Sequence, residues 1–468
     1  MSDMPTPAPF WPRPLLTILA AGFALRLVLW VGFVGVEPRI ADEKDYVELG
    51  RQIAVTGEYA YRPGVPTSLR PPLYPAMIAA VYAVAGVDNF SAVRLTQAVL
   101  SLGICVLMYN LGRLVYGPRA GLWAAGLFAF YPTFLGYNNL ILTEVLFTFW
   151  TVAGALATVW ALRRDDPRGL VAAGVLLALG ALTRSILYPF APILGLFLLV
   201  TWRGGAARRA LAVLAFAVPF AAVLTPWAVR NTRVHQVFIP VDCMGGRNFM
   251  MGNYEHTPMY RSWDAISITG DREWIAVLKA RHPGEWTATT QGQVDQLAMK
   301  QAVRFIFEQP GLTARRDAIK FFDFWGLDRE LIAATKLGHF GPVPLPALCA
   351  LAVAVCGSYV FVLFAGAFGA ATRPPTDGRV HAFVLLLIAF VCGVHTLVFA
   401  HSRYHVPVMP FVMLYAAAAL TMPPATGPRY RAGRWLAVGF CVLIAFGWCW
   451  NLLAGDWNKV FTALGLSN

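Results

Sequence analysis

An all-α, polytopic membrane protein is the fold class this sequence predicts, on three observations. The 468-residue chain is 57% hydrophobic and only 13% charged, with a mean hydropathy of +0.57. Apolar runs of about 20 residues, the length a helix needs to cross the hydrocarbon, recur along it. Arginine gathers in alternate loops between those runs. A chain this apolar crosses a bilayer repeatedly as helices, whose backbones pair internally. The formal net charge of +13 reads as an orientation signal, because most of it sits in short loops where Arg and Lys fix sidedness; no nucleic-acid partner is expected. Of the seven cysteines, six lie in apolar runs and Cys243 stands alone in a long hydrophilic stretch, so no disulfide framework and no zinc spacing is present.

Taken in order, the first run, Leu15 to Val36, is too long for a signal-peptide core and has no small-residue cleavage site, which makes it a retained helix. Full spans follow near 92–115, 119–137, 140–162, 169–184, 186–202 and 209–229. After a hydrophilic stretch of about 115 residues come four more, near 345–369, 380–400, 404–422 and 434–454. The segment "PPLYPAMIAAVYAVA" (71–85) is short and opens on a Pro pair, nearer a re-entrant or interfacial piece than a span. If it does not cross, one side of the membrane receives Arg113/Arg119, Arg163/Arg164/Arg168, Arg203/Arg208/Arg209, Arg373/Arg379 and Arg429/Arg431/Arg434. The other side's short loops then hold little beyond Arg184 and Arg403, as the positive-inside rule expects. The result is about 11 transmembrane helices with the N-terminus inside. A seven-span module (1–229) carries a first external loop (37–91), an external loop domain follows (230–344), and a four-span module (345–468) closes the chain. No internal repeat is visible, unlike transporters built from duplicated halves.

The first external loop is the most informative stretch. "RIADEKDYVELGRQI" (39–53) packs seven charges into fifteen residues of a chain otherwise poor in charge. From Asp42 it reads as a helix lying on the membrane, with Tyr46, Val47, Gly50, Ile53 and Ala54 on one stripe and Gly57 as its stop. Asp42 suits either a helix cap, with Asp45 three residues on, or an exposed catalytic carboxylate. "SLRPPLYP" (68–75) then returns the chain to the membrane and holds Arg70 at the interface ahead of a rigid Pro pair. Its planar fork matches phosphate oxygens at headgroup depth; a snorkelling anchor is the other reading. Carboxylates beside a phosphate-binding arginine, outside the cytoplasm, point to transfer from a lipid-linked donor, whose departing phosphate needs positive charge and whose acceptor hydroxyl needs a base.

"DEKDYVELGRQIAVTGEY" followed by "RPPLYP" resembles the first external loop of the C-superfamily membrane glycosyltransferases, with the bacterial aminoarabinose transferases and the protein O-mannosyltransferases as the nearest families. The resemblance extends through "RLTQAVLSLGICVLMYNLGRLVYGPRAGLWAAGLFAFYP" (94–132), "LTEVLF" (142–147), "GALTR" (180–184), "PWAVRN" (226–231), "GGRNFMMGN" (245–253) and "RYHVPVMP" (403–410). It implies that Asp42 is the base or the acceptor-orienting carboxylate, with Glu43 beside it, and that Arg70 meets the lipid phosphate. Glu144 falls where such enzymes carry an acid at the outer end of a span. Leu69 departs from the pattern: aminoarabinose transferases can carry there a carboxylate that shares a metal with a loop histidine. No metal ligand set and no required cofactor are therefore expected, and His256 and His282 are read as surface residues.

Glu144 is costly near the membrane unless paired or facing water, which favours a site role. Arg184 and Arg403, at the outer ends of their helices, suit either donor phosphate or headgroup anchoring. Arg230 and Asn231 in "PWAVRN" and Tyr404 beside Arg403 complete the candidate site lining. Arg26, within the first span, is read as a bundle-facing structural ion. The expected function is sugar transfer from a polyprenyl (undecaprenyl) phosphate donor to a hydroxyl or phosphate of a lipid, glycan or protein acceptor. A single, inverting displacement would occur on the outer face of a bacterial inner membrane. A polysaccharide ligase or polymerase using lipid-linked glycans, and a transporter or flippase without covalent chemistry, are the alternatives.

Overall fold

The computed structural model describes residues 12–260, 262, 265, 270–285, 290–338 and 341–455. Its helices follow the apolar runs, and the informative departures are where a run is broken. α1 (Arg13–Val31) starts behind Pro12 and buries little besides Leu15, Gly22 and Arg26. α2 (Ala41–Thr56) ends where Gly57 takes the left-handed conformation at φ 73°, which glycine alone adopts without a Cβ penalty. A two-stranded antiparallel hairpin (Ala60–Arg62, Val65–Pro66) links it to α3 (Leu73–Ala85). Tyr46, Val47, Leu49 and Gly50 are buried on α2, Ile53 is half-buried and Ala54 exposed, so the expected stripe holds over the helix's first half. Gly50 lets α3 approach closely, since a Cβ there would meet Ile78.

α4 (Phe90–Tyr116) is a long span, but the run expected at 119–137 is two helices, α5 (Pro118–Ala129) and α6 (Pro132–Tyr137). Pro132 lacks the N–H that would continue the ladder, so carbonyls near the end of α5 lose their partners. Arg26 repairs the break: its Nη1 donates to Ala129 O at 2.8 Å and to Gly22 O at 3.0 Å. The intramembrane arginine is thus a structural plug, as its sequence reading held. The expected span 140–162 begins only at Glu144, with α7 (Glu144–Arg164). Residues 138–143 are non-helical, and α4 satisfies their backbone from one polar face. Gln97 Nε2 donates to Asn138 O at 3.1 Å and Leu140 O at 2.8 Å, and Arg94 Nε donates to Asn139 O at 2.9 Å. Irregular backbone at this depth survives because protein groups replace water.

α8 (Arg168–Thr183) and α9 (Phe190–Thr201) flank a short turn at Ser185–Leu187. α10 (Ala206–His235) runs past the domain boundary expected at 229/230: six further residues stay helical, with Asn231 and His235 buried. The loop domain follows as α11 (Gly245–Gly252), α12 (Gly270–Arg281), α13 (Gln291–Glu308), α14 (Pro310–Phe324) and α15 (Glu330–Lys336). It has a small core of its own, including Met250, Met251, Tyr254, Trp274, Leu278 and Leu297. α16 (Leu345–Thr372), α17 (Gly378–Leu397), a short 3-10 turn (Ser402–Val408) leading into α18 (Met409–Thr421), and α19 (Pro428–Trp450) complete the bundle. Gly366 and Gly369 let α16 lie directly on the Val412–Tyr415 backbone, close packing that glycine favours between membrane helices.

Among the described residues, eight helices are long and apolar enough to cross a membrane, and three shorter apolar helices span 73–85, 168–183 and 185–201. All seven cysteines are free.

Candidate active site

Five segments that are distant in sequence meet at one end of the bundle: α2, the turn before α3, the first turn of α7, the end of α8 and the turn before α18. Their charged side chains form a single alternating row, Asp45–Arg70–Asp42–Arg403–Glu144–Arg184. Arg70 Nη2 donates to Asp45 Oδ2 at 2.8 Å and to Asp42 Oδ1 at 2.7 Å. Arg403 Nη1 donates to Asp42 Oδ2 at 3.1 Å, while its Nε reaches Glu144 Oε1 at 2.5 Å. Arg184 Nη1 donates to the same Glu144 oxygen at 3.0 Å. Three guanidiniums alternate with three carboxylates, so the row is neutral. Glu144, with no exposed side-chain surface, sits behind it and fixes two of the arginines.

The row faces a cavity of 680 Å³, to which Asp42, Tyr46, Arg70, Arg184, Arg403 and Tyr404 contribute. Tyr46 lies under Arg70, its ring centroid 5.3 Å from the guanidinium carbon. Tyr404 stacks on His395 at 4.2 Å and carries Arg184 at 5.7 Å. The opposite wall comes from the loop domain and the end of α17, with Asp242, Asn248 and Asp295 among apolar residues such as Phe238, Phe249 and Met299. Three oriented guanidiniums in a part-buried pocket suit a phosphate monoester, because charge-assisted bonds there are weakly screened by water. Burial alone would raise the Asp42 carboxyl, but Arg403 and Arg70 outweigh it and hold it at about 2. A carboxylate so held is a strong orienting group and a weak base.

Not every expected residue lies in the pocket. Glu43, expected beside Asp42 as a catalytic acid, is 3% exposed, and its oxygens are committed to backbone. Its Oε2 accepts from the N–H groups of Arg39 and Ile40 at 3.0 Å each, and Oε1 from Ile141 at 2.8 Å. Glu43, rather than Asp42, therefore caps α2 and ties it to the turn before Glu144. Arg230 and Asn231, expected as lining, stand behind the wall. Arg230 Nη1 donates to Thr67 O at 2.7 Å and Ser68 Oγ at 2.6 Å; Asn231 accepts from Ser68 Oγ at 2.8 Å and donates to Val241 O at 2.9 Å. They clamp the loop between α2 and α3 to the segment after α10.

Among the described residues no three His, Cys, Asp or Glu side chains converge as metal ligands. His256 is exposed against Tyr254, whereas His282, expected on the surface, is 4% exposed and bonds Glu285 at 3.3 Å. Leu69 lines the pocket and places an apolar side chain there. The sequence reading missed Asp45 as a partner of Arg70, and it missed Asp242, Asp295 and His395 entirely. Asp45 was within reach, since it lies one helical turn from Asp42 on the same face. The others carried no local signal.

Residues 69–229 match the family described as dolichyl-phosphate-mannose-protein mannosyltransferase. No curated protein sequence matches the chain. Among solved structures, the chain is similar to the oligosaccharyltransferase AglB of Archaeoglobus fulgidus in complex with an inhibitory peptide and a dolichol-phosphate. That likeness has a TM-score of 0.51 at 14% identity over 93% of this chain and 54% of that one. The same archaeal enzyme tethered to an acceptor peptide gives 0.50 at 16% identity, over 93% and 53%. ArnT of Cupriavidus metallidurans bound to undecaprenyl phosphate gives 0.42 at 16% identity, over 86% and 77%, too weak a likeness to argue from. The chain spans about half the length of the archaeal enzyme. In its overall helical arrangement the chain thus shares the fold of that archaeal oligosaccharyltransferase, and its residues 69–229 carry the mannosyltransferase family match.

Proposed function

We propose that this chain transfers a sugar from a polyprenyl phosphate to a hydroxyl or phosphate of an acceptor on the outer face of the cytoplasmic membrane. The observation that carries the reading is the pocket into which Arg70, Arg184 and Arg403 all project from separate segments. A sugar phosphate ester bound there leaves its phosphate among the guanidiniums, with the lipid tail lying along the apolar helices. As the C1–O bond breaks, negative charge grows on the departing phosphate, and the oriented guanidiniums stabilise it more than they stabilise the bound ester. Asp42 and Glu144 keep those guanidiniums aimed. One displacement inverts the anomeric centre, and the chemistry calls for no dedicated metal. The family match and the dolichol-phosphate carried by the structurally similar archaeal enzyme support a lipid-phosphate donor.

The test uses purified protein in nanodiscs with a panel of undecaprenyl-phosphate-linked hexoses and pentoses and a membrane extract as acceptor. Donor-dependent release of undecaprenyl phosphate, with label appearing in the extract, is expected, and a chelator should leave the rate unchanged. Tight binding of undecaprenyl phosphate without any release would favour a carrier without covalent chemistry.

A further inference from the structure

We infer that Asp242, rather than Asp42, is the general base that takes the proton of the acceptor hydroxyl. The inference rests on the proposed transfer reaction and on the unlike engagement of two carboxylates lining one cavity. Asp42 has an oxygen on each of two guanidiniums, Arg70 at 2.7 Å and Arg403 at 3.1 Å. Taking a proton there breaks two ion pairs. Asp242 makes a single backbone contact, from Met244 N–H at 3.3 Å. Among the described residues no cation lies within salt-bridge distance of it; the Ser185 hydroxyl is the nearby side chain favouring its ionised form.

The fold holds Asp242 rigidly all the same. On one side Val241 O accepts from Trp227 Nε1 at 2.7 Å and Asn231 Nδ2 at 2.9 Å; on the other Cys243 N–H donates to Ser68 O at 2.8 Å. Ser68 lies two residues before Arg70, and Ser185 directly follows Arg184. Asp242 is thereby fixed beside the phosphate-binding arginines but on the opposing wall, where an acceptor approaches the far face of the sugar. This placement also accounts for Arg230 and Asn231, which clamp the backbone that carries it.

The groups facing Asp242 are Asp295 from α13, Arg70 and Tyr59 from the first external loop, and Cys243 beside it. Burial, with the like charge of Asp295, pushes its carboxyl up to about 7. A base of that strength works at neutral pH, where Asp42 is nearly inert. In the step, the acceptor O–H proton passes to an Asp242 oxygen and the acceptor oxygen forms the bond to C1. The C1–O bond to phosphate breaks, its electron pair leaving with the lipid phosphate, and Asp242 later returns its proton to water.

The experiment measures release of undecaprenyl phosphate from the active donor of the same panel, in nanodiscs between pH 5 and 9, alongside binding of undecaprenyl phosphate. Wild-type rate should rise with unit slope and level off near pH 7. Asp242→Asn should lose about 10²- to 10⁴-fold in rate, bind undecaprenyl phosphate within about twofold of wild type, and lack the rising limb; Asp242→Glu should recover part of the rate. Asp295→Asn should keep the limb but move it to lower pH, since a like charge is gone. A limb surviving in Asp242→Asn, or lost in Asp295→Asn or Asp42→Asn instead, overturns the assignment. So does a flat wild-type profile, which needs no variant to fold. Failure of wild type to bind undecaprenyl phosphate at all would instead strike the transfer reading itself.

Discussion

At one end of the helix bundle, Arg203 and Arg379 share Asp165 at 3.0 and 2.6 Å, and Arg379 also bonds Asp377 at 2.8 Å. At the other end, Arg70, Arg184 and Arg403 alternate with Asp45, Asp42 and Glu144 at similar distances. The residue types are the same and the settings are not. Arg203 is 64% exposed, so water and salt screen its pair, while Arg379, 11% exposed, is spent on Asp165 and Asp377. The other row has a fully buried carboxylate at its back and a cavity at its front, and its arginines are 18–21% exposed. Ion pairs at the first end pin connections between helices. At the second end they hold guanidiniums in a poorly screened pocket, oriented toward whatever anion enters.

Substitutions at the two ends should therefore separate widely. The largest effect belongs to Glu144→Gln, which leaves two arginines sharing a buried neutral amide. Breaking a buried pair in this way costs about 3–5 kcal/mol, and chemical denaturation in mixed micelles should show it together with weakened undecaprenyl phosphate binding. Next comes Arg70→Ala. Losing charge-assisted bonds worth about 1.5–3 kcal/mol should weaken undecaprenyl phosphate binding about ten- to a hundredfold and slow transfer as well. Arg70→Lys should restore part of each, keeping the charge without the planar fork. If both variants lose folding stability but keep affinity, Arg70 is only an anchor.

Acid should then act on the cavity row in a defined window. The Asp42 carboxyl is depressed to about 2 in the folded chain, against about 3.9 when unfolded. Its contribution is therefore present in full above about pH 4 and is lost as pH falls through 2. Melting temperature should not respond to Asp42 between pH 8 and 5, and Asp42→Asn should flatten part of the fall below pH 4. Arg203→Ala marks the lower bound: under about 1 kcal/mol and no change in undecaprenyl phosphate affinity. A larger loss of binding there would show that the two ends are coupled, which their separation in the fold argues against.

Much of the row was legible in the sequence because its parts announce themselves locally. A burst of charge after an apolar run, an arginine locked by a Pro pair, and an acid at a helix start all violate membrane composition, and each turned out to line or back the pocket. Glu43 was misjudged for an equally local reason. An acid beside an acid looks like shared chemistry, whereas helix geometry points the two side chains in different directions, and Glu43 meets unsatisfied N–H groups of the α2 start and of residue 141. The broken span at 119–137 hid behind unbroken hydrophobicity. Pro132 was visible there, but its effect depends on Arg26, about a hundred residues earlier, donating to the freed Ala129 carbonyl.

By itself the sequence determined the class of molecule: repeated apolar runs of about 20 residues set a bundle of membrane-length helices. It also brought an acidic helix and Arg70 together, since both lie in one segment of about thirty residues, and the two are paired in the fold. Only the tertiary structure decided which carboxylate remains free to accept a proton. Asp42 and Asp242 are the same residue type, 200 positions apart, and nothing near either one distinguishes a base from a brace. The difference comes from where Arg403 and Asp295 arrive in space: an opposite charge holds one carboxyl down, and burial with a like charge lifts the other.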